Sequence, residues 1–188
     1  MRLPYVPNPP EDLTPSEEEI VQRVLARRGD RGLIPLDRAL LHSPPVANGW
    51  NSLLGAIRTK TSLPADLREI AICRVALLNE AWYEWMHHAP LLLEAEGFTE
   101  EMLKVVRRLD QSEGRGQLSE KQWVVLRYGD AMTTSVKVED ALFEELSSVA
   151  GFTKKEIVEL TATVATYNCV SRFLVALDVG EMNGKAPE

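Results

Sequence analysis

Between Leu67 and Gly97 the chain reads LREIAICRVALLNEAWYEWMHHAPLLLEAEG, a stretch that gathers two of its three histidines, two of its four tryptophans and several carboxylates. Glu84 and His88 stand four residues apart, so on a helix they share one face, where a carboxylate orients an imidazole and raises its pKa. His87 points about 100° away around the same helix. Trp82, Tyr83 and Trp85 surround the pair with aromatic surface, a low-dielectric wall of the kind that shifts both pKa values. The chemistry that suits this pattern is proton transfer by an acid/base pair in an apolar pocket. The same spacing also occurs on solvated helix faces, and aromatic residues at helical spacing also build cores, so a structural reading stands beside the catalytic one. Two adjacent histidines cannot ligate one ion from a regular helix, and neither HExxH nor CxxC occurs; no metal and no cofactor is expected.

The elements that must position these groups read as helices. Leu67, Ile70, Ala71, Val75 and Leu78 recur at helical spacing and end near Asn79; the next helix should carry Trp82 to Glu96, kinked at Pro90, which cannot donate to the carbonyl of Met86. Upstream, Thr14-Pro15-Ser16-Glu17 is a helix start and Gly29 its end, and a second stretch from Leu36 to Leu41 stops at the Pro44-Pro45 pair before an apolar pattern resumes from Val46 to Thr59. His42, before Ser43-Pro44, is expected to cap a helix end. Downstream, Ser119-Glu120-Lys121-Gln122 and Thr153-Lys154-Lys155-Glu156 are capping-box patterns, with another helix from Val138 to Ala150 between them. Gly97-Phe98-Thr99 and Gly151-Phe152-Thr153 echo each other as helix punctuation. No segment reads as a strand.

Residues 1–13 hold four of the eleven prolines and read as an extended arm, on its own surface or a neighbour's, ahead of a single domain over residues 14–188. A composition of 45% hydrophobic and 26% charged residues is that of an ordinary globular protein, and no unbroken apolar run approaches a membrane span. The formal charge of −7, with scattered Lys and Arg, argues against nucleic acid as a partner. Met1-Arg2-Leu3-Pro4-Tyr5 lacks the apolar core of a signal peptide, and Cys73 and Cys169 are the only cysteines, so a reducing, cytoplasmic setting is expected. Cys73 lies four residues after Glu69, which disfavours its thiolate, and both cysteines read as packing groups.

At the Leu67–Gly97 segment the chain resembles the carboxymuconolactone decarboxylase / AhpD-like family, whose core pattern has a glutamate near the start of one helix and a C-x-x-C-x-x-x-H stretch on the next. Arg68-Glu69-Ile70 resembles the glutamate position, and the family's spacing places Ala81 and Glu84 at the two cysteines and His88 at the histidine. The run from Tyr83 to His88 is similar to the YEWxxH form of the non-peroxidase members. Leu41-His42-Ser43-Pro44, Gly97-Phe98-Thr99 and Tyr167-Asn168 with Arg172 extend the resemblance over about residues 35 to 180.

The resemblance implies an all-α, AhpD-like helical domain, a compact multi-helix bundle that assembles into a homo-oligomer, a trimer or hexamer. It further implies a cofactor-independent lyase, a decarboxylase or isomerase, acting on a small carboxylated or enolisable molecule. In that reading His88 is the general acid/base, Glu84 orients it and Glu69 assists proton transfer, with Tyr83, Trp85 and His87 as pocket wall. Arg74 or Arg172 would hold a substrate carboxylate if either faces the pocket; otherwise each is an ion-pair residue. Two other readings stay open. One is a divergent peroxidase-related antioxidant protein without the CxxC motif, which would need a new thiol pairing; the other is a non-catalytic helical oligomer.

Overall fold

Prolines and hydroxyl residues mark where the helices begin. The computed structural model describes residues 1–187 and contains, among them, nine α-helices and no strand: α1 (Pro15–Arg28), α2 (Pro35–Leu40), α3 (Pro44–Thr59), α4 (Ala65–Leu78), α5 (Trp82–Leu93), α6 (Glu100–Arg107), α7 (Glu120–Thr134), α8 (Asp140–Ser148) and α9 (Lys154–Leu177). Glu17 accepts both the amide and the hydroxyl of Thr14 ahead of α1, at 2.9 and 2.6 Å. Ser119 with Gln122 and Thr153 with Glu156 each complete a reciprocal pair of bonds, so the amides left over at the starts of α7 and α9 find acceptors. Pro44 and Pro45 open α3 instead of preceding it: a proline has no amide to lose in a first turn, and Val46 is already helical.

The helices fall into two compact units. The first comprises Met1–Thr61 with Ala176–Glu181 and contains α1, α2 and α3. Here the proline-rich arm is strapped down by its backbone. Arg2 donates to the carbonyl of Leu177 at 2.8 Å, Arg38 Nε donates to that of Val6 at 2.7 Å, and the Gly180 amide donates to the Tyr5 hydroxyl at 2.8 Å. The imidazole of His42 meets the carbonyl of Pro4 at 2.7 Å, so this histidine ties down the arm rather than capping a helix. Asp37, 3% exposed, is held by a two-pronged bond from Arg28 at 2.7 Å in each branch.

The second unit, Ser62–Val175 with the residues from Met182 on, contains α4 to α8 and most of α9. Its centre is α4. Leu67 and every residue from Glu69 to Leu77 are buried, so this helix has no solvent face, and α5, α6 and α7 pack around it. Phe98 and Phe152, the echoed aromatics, are both buried behind glycines at φ 74° and 66°. α5 runs without a break through Pro90 to Leu93, so the expected kink does not interrupt the helix.

By length and composition α9 is a helix that could cross a membrane, although its sequence holds no unbroken apolar run; half of the qualifying stretch is buried within the protein. Within α9 Thr161 and Thr163 return their hydroxyls to the carbonyls of Ile157 and Glu159 at 2.6 and 2.8 Å. That local bonding lets a core helix carry threonines at little cost.

A tight turn leads into α7. Gly116 sits at φ 53°, and a Cβ there would lie 2.9 Å from the Val105 methyl group. Gly116→Ala is therefore expected to destabilise the fold by about 1–3 kcal/mol, since it adds left-handed strain to a steric overlap; chemical denaturation measures it, and an unchanged midpoint would refute the strain.

Candidate active site

Because Glu69 is buried on α4, its carboxylate must find donors nearby, and it finds them on α5 and on α4 itself. Its Oε2 accepts from His88 Nδ1 at 2.6 Å, across from α5, and its Oε1 accepts from Arg68 Nε at 3.2 Å. Glu69 is 2% exposed and His88 5%. With Nδ1–H given to Glu69, the imidazole tautomer places its lone pair on Nε2.

Glu84 occupies the same face of α5, as the four-residue spacing requires, yet it does not hold the imidazole. Its Oε1 accepts from Ser171 of α9 at 3.0 Å, and its Oε2 is buried with no hydrogen-bond partner among the described residues. The expectation that Glu84 orients His88 is thus corrected: the carboxylate that reaches Nδ1 comes from α4, while Glu84 turns toward α9. Burial pushes the Glu84 carboxyl well above the usual carboxylate range, opposed only by the Ser171 bond. The site thus sets the Glu69 carboxyl, bonded to His88 and Arg68, beside a Glu84 carboxyl whose burial favours the acid form.

Cys73, 0% exposed, lies one turn beyond Glu69. Its thiol is pushed up by burial first and by the charges of Glu69 and Glu84 second, so the expected inert thiol is what the structure contains. Cys169 is free and exposed on α9, so the expectation that both cysteines are packing groups is corrected for this one. Tyr167 closes the other side of His88, edge to face, with ring centroids 5.1 Å apart.

The remaining expected site residues divide. Tyr83 and Trp85 are buried, at 7% and 5% exposure. His87 is exposed; its Nδ1 meets the carbonyl of Tyr83 at 2.7 Å and its ring lies on the Tyr83 ring, with centroids 4.4 Å apart. That orientation follows from the 100° step between neighbours on a helix and takes His87 out of the pocket wall.

Arg74 is not a substrate cation. Fully buried, it grips Asp130 of α7 with Nε and Nη2 at 2.7 and 2.6 Å and donates Nη1 to the carbonyls of Val106 and Arg108. Arg172 is exposed and folds back on Asn168 of its own helix, with Nη1 2.6 Å from Oδ1. Sequence reasoning missed Arg68 and Ser171 as members of the site. The signal for Ser171 was its place four residues after Tyr167, on the buried face of α9. Among the described residues no group of three or more His, Cys, Asp or Glu side chains could hold a metal ion.

Residues 44–121 match the sequence model of the carboxymuconolactone decarboxylase family. No curated protein matches the chain. Among solved structures, an uncharacterized peroxidase-related protein from Silicibacter sp. TM1040 is 18% identical, with a TM-score of 0.73 and coverage of 94% of this chain and 91% of that one. An uncharacterized peroxidase-related protein with an AhpD core, from Ralstonia eutropha JMP134, is 20% identical, with a TM-score of 0.75 and coverage of 95% and 90%. The debrominase Bmp8, in complex with 2,3,4-tribromopyrrole, is 17% identical, with a TM-score of 0.66 and coverage of 88% and 84%. The fold is that of the AhpD-like proteins, all-helical as the sequence implied.

Proposed function

We propose, for a chain that resembles the carboxymuconolactone decarboxylase family over residues 44–121, that it is a cofactor-independent lyase or isomerase moving a proton at a carbon beside a carbonyl group. The observation that carries this reading is the buried Glu69–His88 pair at 2.6 Å, with the Glu84 carboxyl, pushed up by burial, on the same face of α5 as His88. Loss of carbon dioxide or of a proton from such a substrate leaves an electron-rich enolate. Glu84 donates its O–H to the developing enolate oxygen, and His88 delivers or removes the proton at carbon through Nε2. Glu69 stabilises the imidazolium as it forms, as a positioning residue, and Ser171 holds Glu84 in place.

The peroxidase reading lacks the paired thiols of the motif, and the exposed Cys169 stands apart from the buried Cys73 in the sequence. Ala81 and Glu84 stand where the family's thiols would be, and Cys73 is buried with its thiol pushed up. A homo-oligomer is part of the proposal: α9 exposes Val158, Ala165 and Cys169, apolar surface that a second copy would cover.

The test is a paired assay of the wild type and His88→Ala, both confirmed as folded. It follows carbon dioxide release from carboxylated lactones and β-keto acids alongside thiol-dependent peroxide consumption. Turnover of carboxylated substrate falling by about a hundredfold or more in the variant is the expected result. Peroxide consumption that survives in His88→Ala and needs a cysteine would overturn it.

A further inference from the structure

We infer that Arg68 is the anchor for a carboxylate on the substrate, so that the site selects carboxylated over neutral enolisable molecules; this rests on the acid/base reading of Glu69 and His88. Arg68 was not among the cations the sequence suggested, and the structure disposes of the two that were. Arg74 is consumed by Asp130 and two carbonyls, and Arg172 lies exposed on α9 with its Nη1 turned back on Asn168, away from the buried Glu69–His88 pair's own hydrogen bonds.

Arg68 differs from Arg74 in what its guanidinium leaves over, and from the exposed Arg172 in being mostly packed and bonded to Glu69. Its Nε donates to Glu69 Oε1 at 3.2 Å, and Nη1 and Nη2 have no partner among the described residues. Its side chain is only 19% exposed, so most of its stem is packed and its head is not a freely waving surface cation. A guanidinium fixed through Nε presents the Nη pair as a fork, the geometry that a carboxylate accepts with two parallel bonds.

Proximity follows from the shared carboxylate. Glu69 gives one oxygen to His88 and the other to Arg68, at 2.6 and 3.2 Å. The two oxygens of one carboxylate are about 2.2 Å apart, so Arg68 Nε and His88 Nδ1 stand no more than about 8 Å from each other. The Nη pair and Nε2 lie about 2 Å further along each group, so anchor and proton-transfer atom stand within about 12 Å, the reach of a small keto acid with a hydrogen-bonded contact at either end.

The electrostatic balance permits such a ligand. Glu69 is offset by Arg68, and burial disfavours a negative charge on Glu84. The orphaned, buried Oε2 of Glu84 is a polar group lacking the partner that a substrate oxygen would supply. A substrate carboxylate on Arg68, a carbonyl oxygen on Glu84 and the carbon between them at His88 would satisfy all the polar groups together.

The experiment separates binding from chemistry. Titration calorimetry compares levulinate, a stable γ-keto acid, with methyl levulinate, its uncharged ester, on the wild type, Arg68→Gln, Arg68→Lys and His88→Ala, each checked for helicity. Deuterium exchange beside the ketone is followed separately. The wild type is expected to prefer the acid over the ester, and Arg68→Gln to weaken acid binding by about tenfold to a hundredfold while ester binding holds. Arg68→Lys keeps the charge without the fork and should fall between them. His88→Ala should lose exchange and bind the acid within about threefold of the wild type, so that a failure of the acid/base reading shows in exchange and a failure of the anchor shows in binding. A wild type that does not prefer the acid, absent binding included, or folded Arg68 variants that bind it undiminished, would overturn the inference.

Discussion

Arg74→Met is expected to lower the unfolding free energy by about 3–5 kcal/mol, a large share of what holds a domain of this size together. The arginine is 0% exposed and joins three pieces of the second unit: α4, which carries it; α7, through Asp130; and the end of α6, through the carbonyls of Val106 and Arg108. Methionine fills much of the same volume, so the loss is electrostatic rather than a cavity. It strands the Asp130 carboxylate at 23% exposure and removes a donor from two carbonyls. Burial already raises the Asp130 pKa, with the Arg74 hydrogen bond and charge opposing it.

Without Arg74 that opposition disappears and Asp130 takes up a proton more readily. A carboxyl whose folded-state pKa is raised contributes its stability below the unfolded value and loses it as pH rises through the folded value. The deficit of Arg74→Met should therefore shrink as pH falls toward the acid range. Adding Asp130→Leu should recover part of the loss at neutral pH, because removing both partners of a buried pair costs less than removing one. Urea denaturation of the three proteins across pH decides the matter; a loss below about 1 kcal/mol for Arg74→Met would mean the pair is not structural. A folded Arg74→Met that keeps its turnover would confirm that this arginine serves the fold alone.

The same arginine shows what the sequence could and could not say. Helix starts were legible because they rest on local chemistry: Thr14, Ser119 and Thr153 cap the helices at which they stood in the sequence. The apolar face of α4 was legible in its spacing, but burial of its other face, Glu69 and Arg74 included, was not. The division of labour between Glu69 and Glu84 was not, because spacing along α5 says that Glu84 and His88 share a face but not which oxygen arrives from α4. Helix periodicity fixes neighbours within a helix; partners between helices depend on packing that leaves no periodic trace. Arg74 and Arg68 lie on the same helix, and only the presence of Asp130 opposite one and Glu69 beside the other separates a structural cation from an available one.

Glu84→Gln should make the protein progressively more stable than the wild type as pH rises. In the wild type burial holds the Glu84 pKa well above 4.5, with the Ser171 bond a smaller opposing effect. The folded state then binds a proton that the unfolded chain has released, so stability is full below the unfolded pKa and falls with rising pH until the folded pKa is passed. For one proton the slope approaches about 1.4 kcal/mol per pH unit. Glutamine has nearly the same shape, still accepts from Ser171 and does not titrate. The difference in unfolding free energy between variant and wild type therefore isolates this group from every other titration. It should widen from about pH 5 upward and level off once the folded carboxyl ionises. A difference that stays flat over pH 5–8 would mean that Glu84 is ionised in the folded protein, and the acid role assigned to it would fall. Turnover gives the second half of the argument. An amide still donates a hydrogen bond to an enolate oxygen, so Glu84→Gln should lose about tenfold, whereas Glu84→Leu, which donates nothing, should lose a hundredfold or more, roughly the effect of deleting an oxyanion donor. That ordering separates a carboxyl that stabilises charge by hydrogen bonding from one that must give its proton away, for which glutamine would be as damaging as leucine.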